Sequence, residues 1–269
     1  MRNTIVTMLT SRFRFFISGF LFRISILLFL PSLLFSQEKT TSFGFVIKPI
    51  FPSTYFRTGP QTNNEIDTNS NHYTFKLAQT SGFSAGGILR KGLTKNLSIE
   101  TGIQYVKRHY NLDVTDSSIG RTESSDFKII GYEVPLQVLV FVQLSQQIWM
   151  NASLGASIDM FPSNIYTQGN YFKHFAYRTS RVTVFNGGVL ANIGWEYRTE
   201  KSGTVYIGSS YHRSFNNTFR SVVEYYRYNT HDVFPQSNSS FSLKGDYLTL
   251  DLRYYFHGDV NKKKKVVKK

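Results

Sequence analysis

Between Ile148 and Met160 the chain reads IWMNASLGASIDM, and apolar residues fall on every second position. Ile148, Met150, Ala152, Leu154, Ala156, Ile158 and Met160 share one parity; Trp149, Asn151, Ser153, Gly155, Ser157 and Asp159 share the other. Successive side chains of an extended strand point to opposite faces, whereas a helix repeats every ~3.6 residues. A period of two sustained this long specifies a strand. It recurs in LSIETGIQY, where Leu97, Ile99, Ile103 and Tyr105 oppose Ser98, Glu100, Gly102 and Gln104, and in VLANIGWEY, where Val189, Ala191, Ile193, Trp195 and Tyr197 oppose Leu190, Asn192, Gly194 and Glu196. After Gln37 no segment has helical period.

Read along its length, the pattern predicts eight strands, over residues 42–51, 73–91, 97–110, 127–143, 148–160, 183–197, 204–215 and 242–256. Three connections are tight turns rich in Gly, Asn, Ser, Thr and Lys (92–96, 144–147 and 198–203), and such residues suit tight turns. The others, 52–72, 111–126, 161–182 and 216–241, are long, polar and aromatic. With an even number of antiparallel strands the short turns collect at one end and the long connections at the other, as in transmembrane barrels.

Alternation does not by itself say which face is wet, because a soluble lipocalin-type barrel also alternates, with its apolar face inside. Three features favour apolar-out. The opposite face carries Gly, Ser, Asn and Gln with scattered charges, which suits a narrow interior filled by small and hydrogen-bonding side chains. Aromatics of the apolar parity (Tyr73, Tyr105, Tyr132, Trp195, Tyr197, Tyr211, Tyr254, Phe256) fall near strand ends, where membrane interfaces place them. The long connections all lie on one side. The expected fold is therefore all-β, an eight-stranded antiparallel up-and-down transmembrane β-barrel. Its inward charges, Lys48, Arg90, Glu100, Glu133, Glu196, Asp251 and Arg253, are expected to pair with one another, and Arg90, Glu100, Glu133, Glu196, Asp251 and Arg253 are read as a luminal polar network that plugs the barrel. Pro135, which lacks a donor, predicts a bulge.

The 24 Phe and 17 Tyr are many for a chain of slightly polar mean hydropathy, and they fit a boundary between oil and water. The net charge of +14 is concentrated at the ends, with Arg2, Arg12, Arg14 and Arg23 before Ser36 and six lysines after Phe256. Residues 37–256 hold 21 basic against 16 acidic residues, so no basic face for nucleic acid is built into the fold. The absence of cysteine excludes disulfides and thiolate chemistry. Arg12, Arg14 and Arg23, then the apolar run Ile24 to Phe35, then Ser36 before Gln37 are read as a secretory signal peptide over residues 1–36, since a run of this length is short for a bilayer span of about 20 residues; the alternative is an N-terminal membrane anchor extended by the apolar residues of Phe15 to Phe22. The expected barrel then covers 37–256, and 257–269 forms a Lys-rich tail with both mature termini in the periplasm.

The closing stretch YLTLDLRYYF places Leu248, Leu250, Leu252, Tyr254 and Phe256 on one face. It resembles the C-terminal assembly signal of outer-membrane proteins, which the barrel assembly machinery reads, except that thirteen residues follow the final aromatic. GFSAGGILRKGLTKNLSIETGIQYVKR, YEVPLQVLV and NIGWEYRTEKSGTVYIGSSYHRSFNNTF together resemble the PorT-like outer-membrane β-barrel family. That resemblance implies a porin-like barrel in the outer membrane of a Gram-negative cell, with outer-membrane lipid around it.

One catalytic pattern is present. His212-x-Ser214 has the spacing found in outer-membrane lipid A deacylases, with Glu224 as an acid that would orient the histidine. Parity turns both side chains into the lumen, away from a lipid substrate, and the following FNN departs from the enzyme pattern. The six histidines, 72, 109, 174, 212, 231 and 257, show no metal-ligand spacing, and GGILRKG lacks the helix of a phosphate loop. No catalytic, cofactor or metal residue is expected. The reading is a non-enzymatic structural or interaction protein, an accessory of a secretion or surface-assembly system. Its alternatives are an adhesion barrel working through the aromatic loops YTQGNYFKHFAYR and VVEYYRYNTHDVF, and a deacylase using His212 and Ser214.

Overall fold

The computed structural model describes residues 41–52, 61–66, 72–168, 175–199, 202–226 and 237–256. Residues 1–36 and 257–269, where the signal peptide and the Lys-rich tail are expected, lie outside them, as do residues 169–174 and 227–234 of the aromatic loops. The strands are β1 (Thr41–Phe51), β2 (Gln61–Ile66), β3 (His72–Thr94), β4 (Leu97–Asp116), β5 (Arg121–Gln143), β6 (Ile148–Met160), β7 (Ile165–Gln168), β8 (Phe175–Arg181), β9 (Phe185–Thr199), β10 (Gly203–Ser214), β11 (Asn217–Tyr225), β12 (Ser237–Lys244) and β13 (Tyr247–Tyr255).

Eight of them close into a ring in the order β1, β13, β10, β9, β6, β5, β4, β3, with β3 pairing back onto β1 and every neighbour antiparallel. The chain is an eight-stranded up-and-down barrel, as its alternation predicts. Closure leaves no edge in the ring, the condition for sheet in hydrocarbon, where an unpaired N–H or C=O finds no water. The ring is sealed by its first and last strands, with Gly44 opposite Tyr255 and Phe51 opposite Leu248.

The outward face of the lower wall is apolar and exposed. On β5 Tyr132, Val134, Leu136, Val138, Val140 and Val142 point outward while Glu133, Gln137 and Leu139 are buried. Ile103 and Leu154 are 59% and 65% exposed. The outward run Tyr132 to Val142 covers about 11 residues, enough for a tilted strand to cross a bilayer core. At the short-turn end Phe43, Phe45, Tyr254 and Phe256 form an aromatic cluster, the rings of Phe43 and Phe256 lying 6.1 Å apart. Tyr105 and Tyr132 meet at 5.9 Å toward the other end.

Above those two tyrosines the wall continues, but its polarity reverses. Along β4 the outward residues change from Leu97, Ile99, Ile103 and Tyr105 to Lys107, His109, Asn111 and Asp113. The inward ones change from Ser98, Glu100 and Gln104 to Val106, Arg108, Tyr110, Leu112 and Val114. β5 reverses at the same height, with Asp126 and Lys128 outward and Phe127 and Ile129 buried. β3 reaches the same result differently. Its register against β4 slips between Gln79 and Gly82, and a one-residue slip exchanges the faces of every side chain beyond it. Tyr73, Phe75 and Leu77 are therefore buried although they share the parity of the outward Phe83 and Leu89. This corrects the reading of Tyr73 as an interface aromatic.

The reversed section is a second storey. Its near wall is β2 and the upper parts of β3, β4 and β5; its far wall is a separate sheet in the order β12, β11, β8, β7. Phe75, Leu112, Phe127 and Ile129 face Tyr177, Phe219, Val223 and Phe241 in one buried core. All four of the expected long loops are thus corrected, the 52–72 connection because it contains β2. The 111–126 connection is mostly strand, turning at residues 117–120 with Gly120 in the left-handed region (φ 61°). The 161–182 connection contains β7 and β8, and the 216–241 connection contains β11 and most of β12, so the last barrel strand starts at Tyr247 rather than at 242. The bulge expected at Pro135 is absent. Pro135 pairs with Ser157 in unbroken register, and the Thr101 hydroxyl donates to its carbonyl at 2.8 Å, so a side-chain bond stands where the ladder cannot form.

Candidate functional site

The lumen holds two polar clusters, one above the other, and each bridges strands that are far apart in the ring. The lower lies near the short turns. Arg90 of β3 donates from Nε to Glu100 at 3.0 Å and from Nη1 to Glu196 at 2.5 Å. β3 and β9 stand opposite one another in the ring, so the Arg90–Glu196 bond crosses its full diameter. Arg253 donates to Glu100 at 2.6 Å and to Asp251 at 2.6 Å, and Lys48 lies 3.8 Å from Asp251. Lys48, Arg90 and Arg253 thus balance Glu100, Glu196 and Asp251, all buried. Tyr255 donates to Glu100 at 2.6 Å, and the guanidinium of Arg90 sits 3.8 Å from its ring centre.

Small residues make room for this layer. The Tyr206 ring lies against Gly194 and Gly208, where any Cβ would collide with it, and its hydroxyl donates to Asn192 at 2.7 Å. Asn192 in turn donates to Ser210 at 2.8 Å, and Ser210 to Asp251 at 2.6 Å. Below, Leu139, Phe141 and Trp149 fill the lumen, capped by Arg198 at 4.3 Å from the Trp149 ring centre. A lumen so filled is a plug.

Glu133, placed by parity in the same network, belongs instead to the upper cluster. It accepts from the Tyr247 hydroxyl at 2.5 Å, a bond between opposite strands of the ring. His212 stacks on Tyr247 with ring centres 4.6 Å apart and a 4° tilt. Its Nε2 lies 3.0 Å from Asp159 Oδ2, 3.1 Å from Ser157 Oγ and 3.6 Å from Glu133 Oε2, and its Nδ1 lies 3.1 Å from the Gly245 carbonyl. A cavity of ≈10 Å³ opens among these groups, lined also by Arg108 and Ser214. Arg108 Nη1 and Ser214 Oγ are buried there without a hydrogen-bond partner.

The residues of the deacylase pattern are not assembled for that chemistry. Both face the lumen, but His212 bonds Ser157 and Asp159 rather than Ser214, and Glu224 accepts from Tyr226 at 2.9 Å instead of orienting the histidine. Ser157, His212 and Asp159 do not form a nucleophile relay either. In such a relay the serine and the acid engage opposite ring nitrogens, whereas here both sit on Nε2. Histidine spacing along the chain could not reveal the cluster, because Glu133, Asp159 and His212 come from β5, β6 and β10.

The C-terminal strand residues Leu248, Leu250, Leu252, Tyr254 and Phe256 line the outer face of β13 at the seam, where the Phe256 amide donates to the Phe43 carbonyl at 2.8 Å. In the upper storey an open groove of ≈750 Å³ runs between β5 and β7, lined by residues that include His109, Asp126, Lys128 and Tyr166. Among the described residues β7 is the edge of its sheet.

No family model matches the chain, and no curated protein matches it. Among similar solved structures are the outer membrane protein OprG from Pseudomonas aeruginosa (9% identical, covering 81% of this chain and 96% of that one, TM-score 0.48) and the outer membrane protease OmpT from Escherichia coli (10% identical, 83% and 100%, TM-score 0.41). A third is the beta domain of the Bordetella autotransporter BrkA (9% identical, 80% and 98%, TM-score 0.31). The expectation of a non-enzymatic chain is corrected here: one of these barrels is a protease, so a barrel of this kind does not exclude catalysis.

Proposed function

We propose that this chain is an outer-membrane barrel that anchors a rigid β-storey at the cell surface for contact with a partner. The observation that carries the reading is the reversal of polarity at Tyr105 and Tyr132. Below it the wall is greasy outside and polar inside, as hydrocarbon demands; above it the wall is polar outside with a packed core, as water demands. A soluble monomer rarely exposes contiguous apolar surface beyond about a few hundred Å².

The apolar run Ile24 to Phe35 and its preceding arginines supply export. The start of β1 and the end of β13 lie at the short-turn end, and short turns on the periplasmic side with long connections outside are the usual arrangement of such barrels, which supports a storey directed outward. The outer face of β13 is the surface through which the assembly machinery would read the closing strand. The groove beside β7 offers partner contact, because an edge strand carries unpaired backbone groups that an extended segment can meet. An accessory role in secretion or surface assembly fits such an anchored platform, as does adhesion.

Outer-membrane fractionation of cells carrying a photo-crosslinking residue at Tyr166 tests this. Protein adducts from Tyr166 and none from Leu136 are expected. Recovery of the chain in the soluble fraction would refute the membrane reading, and adducts absent at Tyr166 would refute the groove as the contact surface.

A further inference from the structure

We propose that Glu133, Asp159 and His212 form a binding site for one divalent transition-metal cation of the zinc class, inside the barrel just beneath the storey. The three residues come from three strands, all are buried, and one ligand atom from each lies within 4.8 Å of the others. Ligand atoms on a tetrahedral zinc with bonds of about 2.0–2.1 Å stand about 3.3 Å apart. The spacings from Nε2 to Asp159 and Glu133, 3.0 Å and 3.6 Å, bracket that value.

Local chemistry prepares Nε2 for a cation. The Gly245 carbonyl only accepts, so Nδ1 of His212 donates to it, which is the outer bond that orients a metal-binding imidazole. Nε2 then faces two carboxylates. If it carried only a lone pair, it would repel Asp159 at 3.0 Å, so a positive centre belongs between them. A proton can serve as that centre, but it bridges Nε2 to one carboxylate, whereas Nε2 faces both Asp159 and Glu133 at spacings that suit a shared metal. Ser214 Oγ, buried without a hydrogen-bond partner and lining the ≈10 Å³ space beside the three groups, stands where a water completing the metal's coordination would be held. Charge agrees as well. Two carboxylates against Arg108, with His212 neutral, leave one net negative charge, which favours a cation over an anion. Tyr247, donating to Glu133 at 2.5 Å, is the corresponding outer partner of that carboxylate.

The test uses the full barrel, without a histidine tag, refolded into detergent in the presence of Co²⁺ or Zn²⁺ so that entry into a closed lumen sets no limit. After removal of free metal, one Co²⁺ per chain with the visible absorption of a low-symmetry N/O site is expected. Asp159→Asn and His212→Gln should each lower affinity by more than the ~10–100-fold that loss of an outer partner costs, and Tyr247→Phe should fall within that range. Glu224→Gln, on the storey, should bind as the parent does. Failure of the parent chain to retain metal overturns the proposal, and so does retention by the Asp159→Asn, His212→Gln double variant. If those variants do not fold, X-ray absorption of the zinc-loaded parent decides: one imidazole with oxygen ligands supports the site, whereas several imidazoles or oxygen alone overturn it.

Discussion

Replacing Leu136 by arginine puts a guanidinium on the outer wall of β5, at a position 59% exposed and surrounded by Val134, Val138 and the apolar residues of β4 and β6. The outward run extends from Tyr132 to Val142. At ~3.4 Å per residue and a tilt of ~45°, Leu136 lies about 10 Å below its upper edge and about 14 Å above its lower one. That is near the midplane of the band, where arginine costs about 2–4 kcal/mol, or about a 30- to 700-fold loss in the folding equilibrium. The reciprocal change, Lys128→Leu, sits above the reversal on a face read as wet, and exposed substitutions there stay within about 0.5 kcal/mol. Urea titration of both variants in lipid vesicles, followed by the mobility difference between boiled and unboiled samples, measures the two costs. The reasoning fails if Leu136→Arg folds as well as the parent, or if Lys128→Leu stabilises by an amount comparable to the arginine penalty.

Three further outcomes follow from the interior. Bonds between opposite strands, Arg90 to Glu196 and Tyr247 to Glu133, leave no continuous passage, so the purified barrel should show no steady ion conductance in planar bilayers; stable open channels would contradict the plug. Arg253→Ala removes one of the two cations facing each of buried Glu100 and Asp251, leaving Arg90 and Lys48, and should cost about 3 kcal/mol in the same urea assay, while a loss under about 1 kcal/mol would mean that the network is wet. In the storey, burial pushes the Tyr177 hydroxyl up to about 12. A raised folded-state value means that its contribution to stability is complete below the ordinary tyrosine value near 10 and is lost as pH rises through the folded one. The absorbance titration of Tyr177→Phe should therefore lack a tyrosine that ionises late, and the parent's storey should become sensitive to protease only at strongly alkaline pH.

The barrel itself was legible because one physical rule, apolar residues on every second position, governs each of its eight strands, and the tight turns carry turn-forming residues. The storey was harder to read. In β4 and β5 alternation never stops; it changes phase between Tyr105 and Lys107 and between Lys128 and Tyr132, and polar residues on the newly outward face look like the start of a loop. In β3 the phase is constant, and the slip between Gln79 and Gly82 does the turning, which no parity count can show. The strands β8, β11 and β12 alternate too, as in Phe219, Ser221, Val223 and Tyr225, but serines among the buried positions blur the contrast. Parity correctly turns Glu133 and His212 inward, yet their partners are set by height in the barrel and by position around the ring. Arg90 meets Glu196, 106 residues away, while Glu133 meets Tyr247, 114 residues away.

Single cysteines offer the most direct measurement, because the chain has none of its own. Placed one at a time at the outward positions 124, 126, 128, 130, 132, 134, 136, 138, 140 and 142 of β5 in vesicles, they would be challenged with a water-soluble maleimide. Rapid labelling at 124–128 that ends by Tyr132, with none from Val134 through Val140, is the result this account predicts. Labelling that continues unbroken from 124 to 142 would contradict it.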